Sequence, residues 1–120
     1  MQCRLCSNAQ AKIFRHRNHL RYLATWARRR DYLSEITGEF LADLLIKQDG
    51  RCALTGVVFD RDNTPSLDRK DSSGRYTRDN VQLVLVEVNR MKSNFDQFSF
   101  VALCDRIATW QEPIYGLSGC

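Results

Sequence analysis

The chain has 120 residues, 43% of them hydrophobic and 27% charged, with a formal net charge of +4. That length and balance suit one soluble domain with a modest core and exclude a collagenous, low-complexity or disulfide-dense scaffold. No apolar run approaches the length of a membrane span, the longest being interrupted by Gln82 and Glu87, and the first residues lack the apolar core of a secretory signal. A cytoplasmic, non-membrane protein is the expectation.

The charge is unevenly placed. Residues 1–30 carry eight basic groups and no Asp or Glu, so the +4 divides into a +8 segment and a −4 body. A basic segment on a mildly acidic body is a common footprint of phosphate-backbone contact, and an Arg-rich solvated helix face is the alternative. The five cysteines, an odd number at irregular spacing, argue against a disulfide framework in a cytosolic chain.

In chain order, Cys3 and Cys6 form a CxxC with His16 and His19 downstream, a candidate zinc set for which Cys52 or another residue is an alternative completing ligand. The alternative is a loose N-terminal turn with reduced thiols. Residues 9–30 contain neither Gly nor Pro, and Ile13, Leu20, Leu23 and Ala27 recur at helical spacing. This predicts a basic amphipathic helix that packs on the body and offers Arg15, Arg17, Arg21, Arg28, Arg29 and Arg30 to nucleic acid.

Thr37 is a candidate N-cap for a scaffold helix over 38–48 presenting Phe40, Leu41, Leu44 and Leu45, and Asp49-Gly50 is its stop. Two β-prone runs follow, 53–59 and 65–68, expected to form a hairpin that ends at Asp68. A turn-rich segment at Ser72, Ser73 and Gly74 comes next, then the apolar run 81–88 and the polar patch Asn89-Arg90-Met91-Lys92. The order reads as hairpin, loop, helix, and oxygen ligands at Asp68 and Asn89 suit a hard divalent cation. A last helix over 97–110 is expected to close the fold with Phe98, Val101, Ala102, Leu103, Cys104 and Ile107, with Cys104 in the core and Pro113 ending regular structure.

Leu67-Asp68-Arg69, Gly74-Arg75-Tyr76, Asp79-Asn80 and Asn89-Arg90-Met91-Lys92, in this order, resemble the small phage and prophage HNH endonucleases of the ββα-metal (His-Me finger) class. The resemblance covers about residues 31–110. It implies an α+β fold: a ββα-metal core with flanking helices, one domain over 1–120. Its parts would be a basic segment (1–33), a scaffold helix (34–50), the core (51–94) and a closing helix with tail (95–120).

The resemblance further implies Mg²⁺- or Mn²⁺-dependent hydrolysis of DNA phosphodiesters with low sequence specificity, by a monomer or homodimer, RNA being a further candidate substrate. Asp68 and Asn89 would be the metal ligands, Asn80 a brace of the loop, Tyr76 its packing aromatic, and Lys92 and Arg90 contacts to phosphate. Two departures matter. Arg69 stands where the family has its His base, and Arg stays protonated; Asp71 and Tyr76 are the local substitutes, while Arg69 itself suits phosphate. Thr55 stands where zinc-stapled relatives have a second Cys after Cys52. The rival reading is a non-cleaving nucleic-acid-binding or inhibitory protein on the same fold.

Overall fold

The computed structural model describes residues 4–115, and side chains over 16–114. Among them run four helices and one two-stranded antiparallel sheet: α1 (Arg4–Arg30), α2 (Gly38–Lys47), β1 (Pro65–Arg69), β2 (Val81–Leu85), α3 (Val86–Lys92) and α4 (Gln97–Tyr115). The fold is mixed α+β. Among the described residues no helix is long and apolar enough to cross a membrane.

Helix α1 begins earlier than the periodicity suggested, and it buries Leu20, Leu23, Ala24 and Ala27, residues spaced to share one face. Helix α2 starts where expected: the Thr37 hydroxyl accepts from the Phe40 N–H at 3.0 Å. It ends at Gln48, and Asp49 and Gly50 both take positive φ to turn the chain back. Leu41 and Leu45 meet the α1 stripe in one core with Ile36, Phe59, Leu67, Val81, Leu83 and Val84.

The hairpin differs from expectation. Residues 53–59 form no strand; they lie in a tight knuckle with one isolated bridge, Arg51 to Val58. There the Cys52 N–H donates to Val57 O, the Gly56 N–H donates to Cys52 O, and Gly56 turns at φ 75°. The partner of 65–69 is instead the first half of the apolar run, in the register Leu67 to Leu83 and Asp68 to Gln82. Asp68 therefore belongs to the first strand of the sheet, and the 70–80 loop lies inside the hairpin. The 81–88 run changes conformation at Leu85, whose extended backbone opens α3.

A two-stranded sheet is marginal by itself, and its outer edge is covered. The Gln48 side chain donates to Leu83 O (2.9 Å) and accepts from the Leu83 N–H (3.0 Å), as a neighbouring strand would. Beside it the Ala53 N–H donates to the same carbonyl, and the Leu85 N–H donates to Cys52 Sγ.

Helix α4 does not close the core. Asp96 caps it through the Ser99 N–H, and Phe100 is buried, but Phe98, Val101, Leu103 and Ile107 are exposed. Cys104 is half-buried rather than a core residue. The helix also continues past Pro113 to Tyr115. A proline near the last turn removes one helical hydrogen bond without stopping the backbone at once.

Candidate functional site

Alternation along β1 puts Ser66 and Asp68 on one face of the sheet. On α3, Asn89 and Lys92 lie one turn apart and share a face. The two rows meet. Asn89 Nδ2 donates to Ser66 Oγ (2.6 Å) and Leu67 O (3.2 Å), while Lys92 Nζ donates to Asp68 Oδ1 (3.1 Å) and Arg69 O (2.6 Å). Lys92 is 0% exposed and Asp68 6%, so this is an ion pair removed from water. Where the resemblance implies a phosphate contact for Lys92, the ammonium is instead enclosed against the strand end.

The cross-strand partner of Asp68 completes the arrangement. Gln82 Nε2 donates to Asp68 Oδ2 at 2.9 Å and to Gln97 Oε1 at 2.7 Å. Each carboxylate oxygen thus holds one donor, and a hydrogen-bonded row runs Lys92–Asp68–Gln82–Gln97 from α3 to the first turn of α4. Buried polar groups need partners in this way. Gln82 is the residue that sequence reasoning passed over; the signal was a lone amide inside an otherwise apolar strand.

The loop between the strands is braced by Asn80. Its Oδ1 accepts from the Asp71 N–H (3.0 Å), and its Nδ2 donates to Asp71 O (3.1 Å) and Arg75 O (2.8 Å). A Cβ on Gly74 would come within 2.7 Å of Asn80 Nδ2, so the brace requires glycine there. Arg69 turns onto the same loop, donating to Gly74 O (2.9 Å) with its guanidinium 4.9 Å over the Tyr76 ring. Tyr76 is buried, meets Trp26 edge-on, and gives its carbonyl to Ser34 Oγ. Neither substitute base is well suited. Hydrogen bonds from the Ser73 hydroxyl and N–H hold the Asp71 carboxyl below its ordinary pKa, which weakens it as a proton acceptor, and Tyr76 faces the interior.

Side chains from α1, β1 and α3 line a cleft of about 230 Å³: Tyr22, Leu23 and Trp26 on α1, Ser66 and Leu67 on β1, and Asn89 on α3. The His19 ring reaches Pro65 O at 2.6 Å on the same side. Arg30 stacks 4.3 Å over Trp26, and Arg29 and Arg90 are exposed. Arg17, Arg21 and Arg28 lie elsewhere. They flank the buried stripe on its α2 side and line a second cleft with Thr37, Gly38 and Glu39, where Arg28 donates to Ile36 O. The basic residues of α1 therefore divide between two faces, because at about 100° per residue their spacing straddles the apolar stripe.

Asp68 and Asn89 supply oxygen donors of the class that Mg²⁺ and Mn²⁺ prefer. A carboxylate has about four acceptor sites, and Lys92 and Gln82 take two of those on Asp68. Mg²⁺ commonly takes only one or two protein carboxylates together with water and substrate phosphate. The donor set fits such an ion in kind. Among the described residues no cluster of three or more His, Cys, Asp or Glu side chains is arranged for a metal.

Cys3, and the side chains of Cys6 and Arg15, lie outside the described residues. Burial works to raise the Cys52 thiol, but hydrogen bonds from the Thr55 side chain and from the Leu85, Leu54 and Thr55 N–H groups outweigh it and hold the thiol below its ordinary pKa. No family model matches the chain, and neither a curated protein nor a solved structure does.

Proposed function

We propose that the protein is a metal-dependent endonuclease of the HNH type, hydrolysing DNA phosphodiesters on the β1–α3 face. One observation carries the reading: the Ser66–Asp68 row of a strand faces the Asn89–Lys92 row of the helix that directly follows its partner strand, with an Asn80-braced loop between the strands. The sequence resemblance implies a hairpin, then a loop, then a helix; the observed order is strand, loop, strand and helix, which still sets Asp68 on a strand beside the helix that carries Asn89 and Lys92. Asp68 and Asn89 would hold a Mg²⁺ or Mn²⁺ ion, which supplies charge stabilisation to the phosphate undergoing attack. Asn80 fixes the loop. Arg30, stacked on Trp26 of the cleft, offers positive charge there, and Arg29 and Arg90 are further exposed cations on α1 and α3.

Arg69 donates no acid–base chemistry at neutral pH, and Lys92 is engaged with Asp68, so the attacking water loses its proton to solvent or to a substrate phosphate oxygen. The expected consequence is slow cleavage. A second reading, a non-cleaving nucleic-acid-binding protein, is favoured by one specific observation: Arg69 and Lys92, the two cations beside Asp68, both make intramolecular contacts.

Plasmid nicking with EDTA, Mg²⁺, Mn²⁺ or Zn²⁺, alongside Asp68→Ala and Asn89→Ala, separates the two. Metal-dependent nicking lost in both variants supports the nuclease. Intact plasmid with every metal, together with a salt-sensitive gel shift, leaves the binding protein.

A further inference from the structure

Helix α4 carries an apolar stripe that no other described element covers. Phe100, Leu103, Ile107, Trp110 and Ile114 follow one another at spacings of three, four, three and four, the period of a helix that pairs with another helix. Phe100 is buried at the base. Beyond it Leu103, Ile107, Trp110 and Ile114 are 42%, 56%, 75% and 65% exposed. The stripes of α1 and α2 are by contrast buried against each other and the sheet.

The identity of the covering partner follows from three features. A three–four stripe is matched by another of the same period, and within the described chain those of α1 and α2 are already engaged. The side chains along the stripe are uncharged, Glu112 falls on the opposite face of the helix, and Asp105 and Arg106 border the groove that Trp110 and Ile114 line. Two copies of α4 laid stripe to stripe thus bring only charges of opposite sign, Asp105 and Arg106, to the margin. With four exposed side chains per copy, a symmetric pair would bury less than about 1,200 Å², the size of a weak, transient interface.

We infer that α4 is a self-association surface, and that the protein forms a two-fold dimer through its Leu103–Ile107–Trp110–Ile114 stripe. Such pairing is isologous, the same patch serving both subunits. Its affinity lies in the micromolar range, in keeping with the small area. The inference is independent of the nuclease reading, because it is read by mass without DNA or metal.

Sedimentation velocity on the full chain from about 1 to 100 µM tests it. The wild type should shift from monomer to dimer across that range. Ile107→Glu and Trp110→Glu should each weaken the dimer at least tenfold with unchanged helical circular dichroism, since both side chains face solvent in the isolated chain. Phe98→Ser, exposed but off the stripe, should dimerise as the wild type does. A wild type that stays monomeric at the highest concentration overturns the inference. So does a dimer that survives both glutamates, or one that Phe98→Ser disrupts equally.

Discussion

Two regions invert the usual distribution of polarity, in opposite senses. The β1–α3 face takes a lysine, an aspartate and a glutamine out of water and joins them in one row. Helix α4 holds Ile107, Trp110 and Ile114 out in solvent. Buried charge and exposed hydrophobes are the informative exceptions in any fold, because each is unfavourable until a partner is named. For the first region the partners are internal, so its cost is met within the chain and the structure there is closely determined. For the second no described element supplies the partner, so Ile107, Trp110 and Ile114 add little to the stability of the monomer.

Substitutions can break that contrast, and the largest effect should come from the buried pair. Lys92→Met leaves the Asp68 carboxylate without its counter-charge, a loss expected to cost about 3–5 kcal/mol in urea unfolding. Adding Asp68→Leu to it should recover much of that, since a buried ion pair replaced by apolar groups is often near neutral. No recovery in the double variant would mean that the row is held by something other than the pair.

The loop should show the next largest effect. Asn80→Ala removes the bonds to the Asp71 N–H and two carbonyls in an exposed turn, for roughly 0.5–1.5 kcal/mol and a faster hydrogen exchange at Asp71. Gly74→Ala should produce the same exchange signature, because its added Cβ displaces the Asn80 amide.

On α4 the expectation reverses: Ile107→Ser, measured at a concentration where the chain is monomeric, should change stability by less than about 0.5 kcal/mol. A loss as large as that of Asn80→Ala would show that α4 belongs to the core after all.

The smallest effect concerns the surface ion pair, Arg75 Nη2 to Asp31 Oδ1 at 2.9 Å, which is shorter than the buried pair at 3.1 Å but open to water on its Arg75 side. The Arg75 hydrogen bond holds the Asp31 carboxyl below its ordinary value of 3.8. A depressed carboxylate stabilises the fold above that value and loses its contribution as pH falls through the folded-state value. Asp31→Asn should therefore lower stability slightly at pH 7 and be indistinguishable from wild type well below pH 3.8. Equal gaps at both ends of that range would rule out the charge as the cause.

Much of this was legible in the sequence. Thr37 and Asp49-Gly50 marked the ends of α2 because capping and left-handed turns depend on a few local atoms. Asp68, Asn80 and Asn89 were recognised by their order along the chain, and Asn80 bonds the loop as that order implied. The strand pairing was misread for a physical reason. Residues 81–85 are buried on both faces, so they show no alternation and look the same as the start of a buried helix. The run 53–59 has β-prone residues but folds into a knuckle, since its backbone groups bond to Cys52 and Gly50 and, through the Ala53 N–H alone, to Leu83. On α4 the apolar residues were expected to form a face on the core, yet Phe98, Val101, Leu103 and Ile107 are exposed. Periodicity marks the apolar face of a helix; it does not say what covers it.

The Gln48 amide on Leu83 has a consequence of its own. A two-stranded sheet offers an unpaired edge onto which foreign strands can dock and extend, the route by which folded chains enter fibrils. Gln48 fills both the donor and the acceptor of Leu83 with one side chain, and Cys52 and Ala53 close the positions beside it. The sheet cannot grow on that side. The buried strand Val81–Leu85 is thereby kept from templating aggregation along that edge.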